Sequence, residues 1–261
     1  MSYTLNHEDG GPPDGSRLLL AGSLGTTLRM WDPQVAELRA QGRRVIAYDQ
    51  RGHGASPSPP GPYSIADLGG DALALMDRLG IERASFAGIS IGGMVGQWLA
   101  AHAPERIDRL VLLCTSAHLP PASAWHERVA TVRAAGTVEL IADAVAGRWV
   151  TPAFAAAEPA AFGALRAMLA ASPVEGYTAC CEAIAAMDLR ADLAAIRAPT
   201  LVIGGAQDAA VPIEHQERLA AAIAGARLEI LDPGAHVVSV ERADAVTALI
   251  ADHLDREQDT A

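Results

Sequence analysis

A serine between two glycines is the residue of this chain best suited to nucleophilic chemistry. Ser90 is the centre of a Gly-Ile-Ser-Ile-Gly pattern at 88–92, after an apolar run at 84–88 and before a helical stretch that begins at Met94. The pattern predicts a strand, a sharp turn that exposes the serine hydroxyl, and a helix. With 24 glycines in the chain, the spacing alone is weak, and the strand and helix around it give it weight. We therefore expect Ser90 to be a nucleophile on a strained turn.

Asp208 and His236 are the expected partners of this serine. A serine hydroxyl needs a base to remove its proton, and the base needs a third group to fix its tautomer. Asp208 follows the apolar run at 201–204, and His236 follows the run at 228–231. Both runs end at the sheet edge where ligand sites form, and the chain order Ser, Asp, His fits a serine on a strand-to-helix turn. Asp232 is an alternative acid, although its Asp-Pro-Gly context favours a turn.

The remaining histidines are expected to have other roles. His53 lies in the loop after the second core strand, where local hydrogen bonding is the favoured role. His118 could line the site, although a solvated loop position is favoured, and His102 ends a helix, where a cation is stabilised by the dipole. The others are expected at the surface: His7, His126, His215 and His253.

A tetrahedral oxyanion needs two backbone N–H donors. The first is the amide of Ile91, directly after the nucleophile. The second is expected from the Gly-Ser-Leu-Gly-Thr loop at 22–26, and Leu24 is favoured because Gly25 allows the chain to turn that N–H inward. A flexible glycine loop would explain the composition of 22–26, but not its position between a strand and a helix.

The elements around these residues alternate between strands and helices. Strands are predicted at 17–21, 43–48, 84–88, 109–114, 200–204 and 227–231, and core helices at 32–41, 65–79, 94–102, 214–224 and 243–255. Nearly continuous apolar strands joined by helices indicate an α/β protein with a mostly parallel sheet covered on both faces. The alternation stops in an Ala- and Pro-rich helical segment. We therefore predict a core at 1–117 and 198–261, with an inserted helical cap at 118–197.

Composition argues against several other classes of protein. The net charge of −11 and the lack of a basic run disfavour nucleic-acid binding. The three cysteines, Cys114, Cys180 and Cys181, fit neither a disulfide framework nor a metal site. No apolar run approaches the ~18 residues of a membrane span, and the polar stretch at 1–15 lacks the features of a signal peptide. We expect a cytoplasmic protein that needs no metal or cofactor.

Together these motifs resemble the α/β-hydrolase fold and, within it, the 3-oxoadipate enol-lactonase group. The similarity spans nearly the whole chain and is carried by the segments at 23–32, 49–54, 88–94, 148–152, 175–181 and 235–242. Two positions differ: Gly22 and Thr27 stand where relatives often carry Asn and Asp. The part of the chain before Arg17 is also abbreviated. These differences bear on the substrate assignment and not on the predicted triad.

The resemblance implies a serine hydrolase of aromatic catabolism that opens a carboxymethyl-bearing enol-lactone to 3-oxoadipate. An acidic protein that binds an anionic lactone or ester needs a local cation, preferably an arginine. Arg148 in the cap is the first candidate, and Arg29 beside the 22–26 loop is the second. Arg51 is expected to be a structural partner within its own loop.

Three cap aromatics, Trp125, Trp149 and Tyr177, are candidates for the roof of the substrate pocket, although packing within the cap would also explain them. Other hydrolytic activities fit the same triad: a carboxylesterase, a natural-product thioesterase or a cofactor-free perhydrolase. A binding protein that holds a ligand without cleaving it is an alternative of another class.

Overall fold

Seven strands form one mostly parallel sheet in the computed structural model, which describes residues 3–256. They are β1 (His7–Gly10), β2 (Arg17–Ala21), β3 (Arg44–Tyr48), β4 (Ala84–Ile89), β5 (Ile107–Leu113), β6 (Thr200–Gly205) and β7 (Arg227–Leu231). Their order across the sheet is β1-β3-β2-β4-β5-β6-β7, and β1 alone runs antiparallel to its neighbour. The strand that leads to Ser90, β4, is therefore central. The predicted fold class is confirmed.

Eleven α-helices within the described residues accompany the sheet. They are α1 (Asp32–Ala40), α2 (Ile65–Arg78), α3 (Ile91–His102), α4 (Ala122–Ala135), α5 (Glu139–Ala146), α6 (Pro152–Ala157), α7 (Pro159–Ala170), α8 (Val174–Ala186), α9 (Ile213–Ala222), α10 (Val238–Glu241) and α11 (Ala243–Asp255). Helix α1 packs on α11 and α2 packs on α3. Strands β4 and β6 are buried along their whole lengths, as strands covered on both faces must be. None of these helices is long and apolar enough to cross a membrane.

The first strand is an element that the sequence pattern did not predict. Strand β1 reads His-Glu-Asp-Gly, which has no alternation of apolar and polar residues. It pairs antiparallel with β3, with His7 opposite Tyr48 and Gly10 opposite Val45. Backbone pairing with an existing sheet edge forms this strand, and such pairing leaves little trace in side-chain composition.

Five helices, α4 to α8, occupy the chain between β5 and β6, and we use "cap" for residues 118–197 throughout. Helix α4 packs against α8, and α5 packs against α7. Gly136 follows the last residue of α4 and caps the helix in a left-handed conformation with φ of 65°. The Thr151 side chain accepts from the Phe154 amide and caps the start of α6. The boundaries at 117/118 and 197/198 stay predictions.

Candidate active site

Ser90 lies on the turn between β4 and α3 in a backbone conformation that is rare for a residue with a side chain. Its φ is 57° and its ψ is −119°. The Ser90 N–H donates to the Leu113 carbonyl at 2.9 Å, and the Thr115 hydroxyl donates to the Ser90 carbonyl at 2.6 Å. Such strain persists only where the surroundings impose it, and these two bonds to the end of β5 do so.

The two glycines of the pattern allow the backbone to pass close to itself at this turn. A Cβ on Gly88 would lie 2.2 Å from the Gly92 carbonyl oxygen, and a Cβ on Gly92 would lie 2.4 Å from the Ala21 carbonyl oxygen. Neither contact is possible for another residue without movement of the backbone. The start of α3 therefore lies against the end of β2, where the 22–26 loop begins.

Asp208 and His236 meet at the carboxyl ends of β6 and β7. The His236 Nδ1 atom lies 2.8 Å from Asp208 Oδ2, and both side chains are almost fully buried. The other oxygen, Asp208 Oδ1, accepts from the amides of Ala210 and Val211, each at 2.8 Å. Because a carboxylate oxygen accepts, the histidine proton lies on Nδ1, and the lone pair of Nε2 is free to act as a base.

The alternative acid, Asp232, does not reach this histidine. Its carboxylate is exposed and accepts from the Gln207 side-chain amide at 2.8 Å. The structure thus pairs His236 with Asp208, and leaves Asp232 in the turn that its Pro-Gly context predicts.

One small cavity brings these side chains together with the cap. Its volume is about 70 Å³. Ser90, His236 and Leu24 line it from the sheet side, and the cap side is formed by Leu119, Trp125, Arg128, Val145, Arg148, Trp149 and Tyr177. The three aromatic candidates therefore do border the pocket.

Both predicted oxyanion donors are among the backbone amides around this cavity that have no acceptor within residues 3–256. They are the N–H groups of Leu24, which lines the cavity, and of Ile91, the first residue of α3. Both residues are buried. A buried N–H without a partner is uncommon because it loses its hydrogen bond to water and gains none in return. These amides are suited to hold a developing oxyanion.

Two cap arginines border the same cavity. Arg148 was a candidate from the sequence, whereas Arg128 was not identified, and its guanidinium stacks on the Trp125 ring at 4.7 Å. Neither arginine forms an ion pair with a carboxylate in the described part of the chain, although arginines nearby in the cap do: Arg133 with Glu182, and Arg166 with Glu139 and Asp143. Desolvation and the charge of Arg128 lower the pKa of Arg148. A bound anion would relieve this repulsion.

The second arginine candidate, Arg29, lies elsewhere. It is half exposed, forms ion pairs with Glu8 and Asp32, and does not border the cavity. Arg51 is structural as expected, but its partner is Asp71 of α2, at 2.6 and 2.7 Å, and not a residue of its own loop.

Comparison with known proteins identifies the family of this chain. A family model described as the alpha/beta hydrolase fold matches residues 17–243. The chain belongs to the α/β-hydrolase family. It is 43% identical over 245 residues to 3-oxoadipate enol-lactonase 2 of Acinetobacter baylyi, spanning 94% of this chain and 91% of that protein. The crystal structure of the enol-lactonase from Burkholderia xenovorans LB400 matches with a TM-score of 0.94 and 42% identity, over 97% of this chain and 96% of that chain.

A third relative is named for a different activity. The RutD protein of Variovorax paradoxus, which bears the name of a carbamate hydrolase, is 34% identical over 265 residues, covering 97% of this chain and 96% of that protein. With these relatives, the chain is an enzyme, a hydrolase of carboxylic ester bonds that resembles the enol-lactonases. The alternative of a non-catalytic binding protein is therefore not kept.

In this α/β hydrolase, a buried histidine supports the loop that carries Leu24. The Gly25 N–H donates to His53 Nε2 at 2.8 Å, and His53 Nδ1 lies 3.2 Å from the Arg51 carbonyl. Because the carbonyl can only accept, the ring proton lies on Nδ1 and Nε2 keeps its lone pair for Gly25. His53 is 1% exposed, and burial lowers its pKa, which maintains this neutral form. The local role expected for His53 thus extends to the neighbouring loop.

We expect His53→Leu to lower kcat by about 10- to 100-fold with little change in KM. Loss of the Gly25 contact frees the adjacent Leu24 amide, and removal of a whole oxyanion donor costs about 10²- to 10³-fold in other hydrolases. His53→Gln should retain most activity, because its side-chain oxygen can accept from Gly25. Steady-state kinetics of both variants test this expectation, and equal kcat values for the leucine and glutamine variants would contradict it.

Replacement of His53 should also change how the stability of the protein depends on pH. Since the pKa of His53 is lowered on folding, its contribution to stability is complete above the unfolded value of about 6.5 and is lost as pH falls towards the folded value. We expect the free energy of unfolding, measured with urea, to decrease less for His53→Gln than for the parent protein as pH falls below about 6.5. His253, which is buried although the sequence suggested a surface position, has a pKa lowered to about 4 and contributes equally to both proteins.

Proposed function

We propose that this hydrolase opens 3-oxoadipate enol-lactone, a small carboxylate-bearing enol-lactone, to 3-oxoadipate. The observation that carries the proposal is the pair of cap arginines, Arg128 and Arg148, which border the Ser90 cavity and have no carboxylate partner in the described chain. A forked guanidinium matches a carboxylate in shape and charge. The named activity of two relatives supports the same substrate class.

The first half of the proposed reaction uses the arrangement around Ser90. His236 Nε2 removes the hydroxyl proton as Ser90 Oγ attacks the lactone carbonyl carbon, and the amides of Leu24 and Ile91 hold the oxyanion. Collapse of this intermediate breaks the bond between the carbonyl carbon and the ring oxygen. His236 returns the proton to that oxygen, which leaves as an enol and tautomerises to the ketone. The acyl group remains as an ester of Ser90.

The second half repeats the proton transfer with water. His236 removes a proton from a water molecule as its oxygen attacks the ester carbon, and the Ser90 oxygen then leaves and regains the proton. One water is consumed, and the product carries a new carboxylate besides the one that the arginines bind. Asp208 keeps the imidazole in the required tautomer and stabilises its charged form in both halves.

A comparison of substrates distinguishes this proposal from its alternatives. We expect loss of enol-lactone absorbance to proceed with a much higher kcat/KM than hydrolysis of p-nitrophenyl acetate by the same sample. A small carbamate, assayed by ammonium release, tests the activity named for the RutD relative. Carboxylesterase, thioesterase and perhydrolase activities are tested with a neutral ester, an acyl thioester and peroxide. Preference for any of these over the lactone would overturn the assignment.

Removal of a cap arginine should affect the charged substrate alone. We expect Arg148→Ala and Arg128→Ala each to raise KM for the anionic lactone by about 10- to 100-fold, because a charge-assisted contact contributes roughly 1.5–3 kcal/mol. Turnover of a neutral ester of similar size should change little, since it makes no use of either charge. Michaelis–Menten kinetics on both substrates measure the difference.

Arg29→Ala is the matched control for this experiment, because it removes the same charge from a site outside the cavity. We expect its KM values to equal those of the parent enzyme. Equal losses on charged and neutral substrates in the Arg148 and Arg128 variants would instead show that these arginines support the cap structure. An effect at Arg29 as large as at Arg148 would move the anion site to the 22–26 loop.

A further inference from the structure

A second cavity of about 440 Å³ lies behind the start of the cap. The segment 116–120 separates it from the active-site pocket. Leu119 borders the active-site pocket, whereas His118 and Pro120 on either side of it border the second cavity. The far wall comes from α9 and from the chain just before β6, with Leu193 and Leu219 as apolar contributions. The second cavity is therefore a separate space that shares one wall with the pocket.

Four basic side chains line this cavity in a protein of net charge −11. His118, Arg190, His215 and Arg218 border it, and no Asp or Glu of the described residues does. Arg190 is paired with Asp188 at 2.6 Å. Arg218 is an exposed residue of α9 and forms no ion pair within residues 3–256. A guanidinium without a carboxylate partner in a concave wall attracts anions.

A buried hydroxyl fixes the orientation of one of these histidines. Ser116 is 2% exposed, and its Oγ lies 2.7 Å from the His118 carbonyl and 2.7 Å from His215 Nδ1. The carbonyl can only accept, so the single hydroxyl proton is donated there. His215 Nδ1 must therefore be the donor to Ser116, and Nε2 is the nitrogen left for another partner. His215, which the sequence suggested for the surface, is instead half-buried and held in one tautomer.

We propose that this second cavity binds a small oxyanion, a carboxylate or a phosphate, between the Arg218 guanidinium and the His215 imidazolium. Arginine offers a fork of N–H donors, and a protonated His215 adds a donor at Nε2 while Nδ1 stays on Ser116. The site does not depend on the proposed lactonase activity, since none of its residues borders the Ser90 pocket.

Binding at this site is coupled to uptake of a proton. Burial lowers the pKa of His215, and the charges of Arg218 and His118 lower it further, whereas Glu214 and Asp208 oppose them. The empty site therefore holds a neutral ring near pH 7. An anion stabilises the imidazolium and raises the pKa of His215. The affinity for the anion therefore increases as the pH falls from the pKa of His215 in the occupied site towards its pKa in the empty site.

Nuclear magnetic resonance of the ¹⁵N-labelled full chain tests the proposal. The His215 ring signals, assigned with His215→Asn, are followed while succinate, inorganic phosphate or chloride is added at constant ionic strength. We expect a saturable shift and a raised His215 pKa with succinate, phosphate or both, and the stronger of the two identifies the ligand class. A response to chloride equal to that of both oxyanions, or no saturable response, would overturn the proposal.

Arg218→Gln supplies the second arm of the test. We expect it to weaken anion binding about ten-fold or more, the loss of one charge-assisted contact. Arg83→Gln is the matched control, because it also removes one charge, from a surface pair with Asp108. Unchanged affinity in Arg218→Gln, or an equal loss in Arg83→Gln, would show that the His215 signal reports general screening and not a site.

Discussion

Replacing Ser90 by alanine is expected to reduce kcat by at least about 10⁴-fold while the fold survives. The hydroxyl is the only part of the side chain that the reaction needs, and an alanine Cβ meets the same surroundings as the serine Cβ. The oxyanion donors and the substrate contacts remain, so a residual rate above that in water is expected. Steady-state kinetics and a thermal melt of the same preparation measure the two parts of this expectation.

Labelling with a fluorophosphonate probe provides an independent check, because the probe reacts with an activated serine. The parent enzyme should be labelled and Ser90→Ala should not. Ser123→Ala, at an exposed serine of α4, is the matched control and should keep full activity and labelling. Activity near the parent value in a folded Ser90→Ala protein would remove Ser90 from the mechanism.

The second large effect is expected at the histidine and its acid. His236→Ala should lower kcat by about 10⁴-fold or more, because nothing then removes the serine proton. Asp208→Asn should cost less. Its amide oxygen can still accept from Ala210 and Val211, which turns the NH₂ group towards His236 Nδ1 and favours the wrong tautomer. The rate constants of both single variants and of the double variant give the comparison.

The double variant should lose far less than the product of the two single effects, since the acid acts only through the base. Asp232→Asn is the control for the acid, because its carboxylate is exposed and bonded to Gln207. A severe loss of kcat in Asp232→Asn together with a mild loss in Asp208→Asn would show that Asp232, and not Asp208, is the acid.

The sheet, and the meeting of the three candidate catalytic residues at its edge, could be predicted because both depend on local sequence patterns. Short segments rich in apolar residues mark β2 and β7 at their observed bounds, and Ser90, Asp208 and His236 each follow such a segment. Parallel strands bring their carboxyl ends to one edge whatever lies between them. The order of elements along the chain is therefore enough to predict that Ser90, Asp208 and His236 lie at the same edge of the sheet.

The cap arginines could not be ranked from the sequence, because their positions depend on how the cap helices pack. Helix α4 has little separation between apolar and polar faces, so its polarity pattern does not show which face carries residues of the pocket. A signal was present in Trp125, three residues earlier and thus on the same face. Arg29 adjoins the 22–26 loop in sequence, yet its partners Glu8 and Asp32 keep it at the surface.

The order of the strands also governs when the site can form during synthesis. Strands β5 and β6 are neighbours, with Leu110 opposite Thr200, yet the whole cap lies between them in the chain. Closure of so long a loop carries an entropic cost and delays folding, and Asp208 and His236 emerge only after that loop. On the proposed mechanism, a nascent chain is therefore expected to display Ser90 long before Asp208 and His236. We expect no hydrolysis until β7, which precedes His236, has joined the sheet.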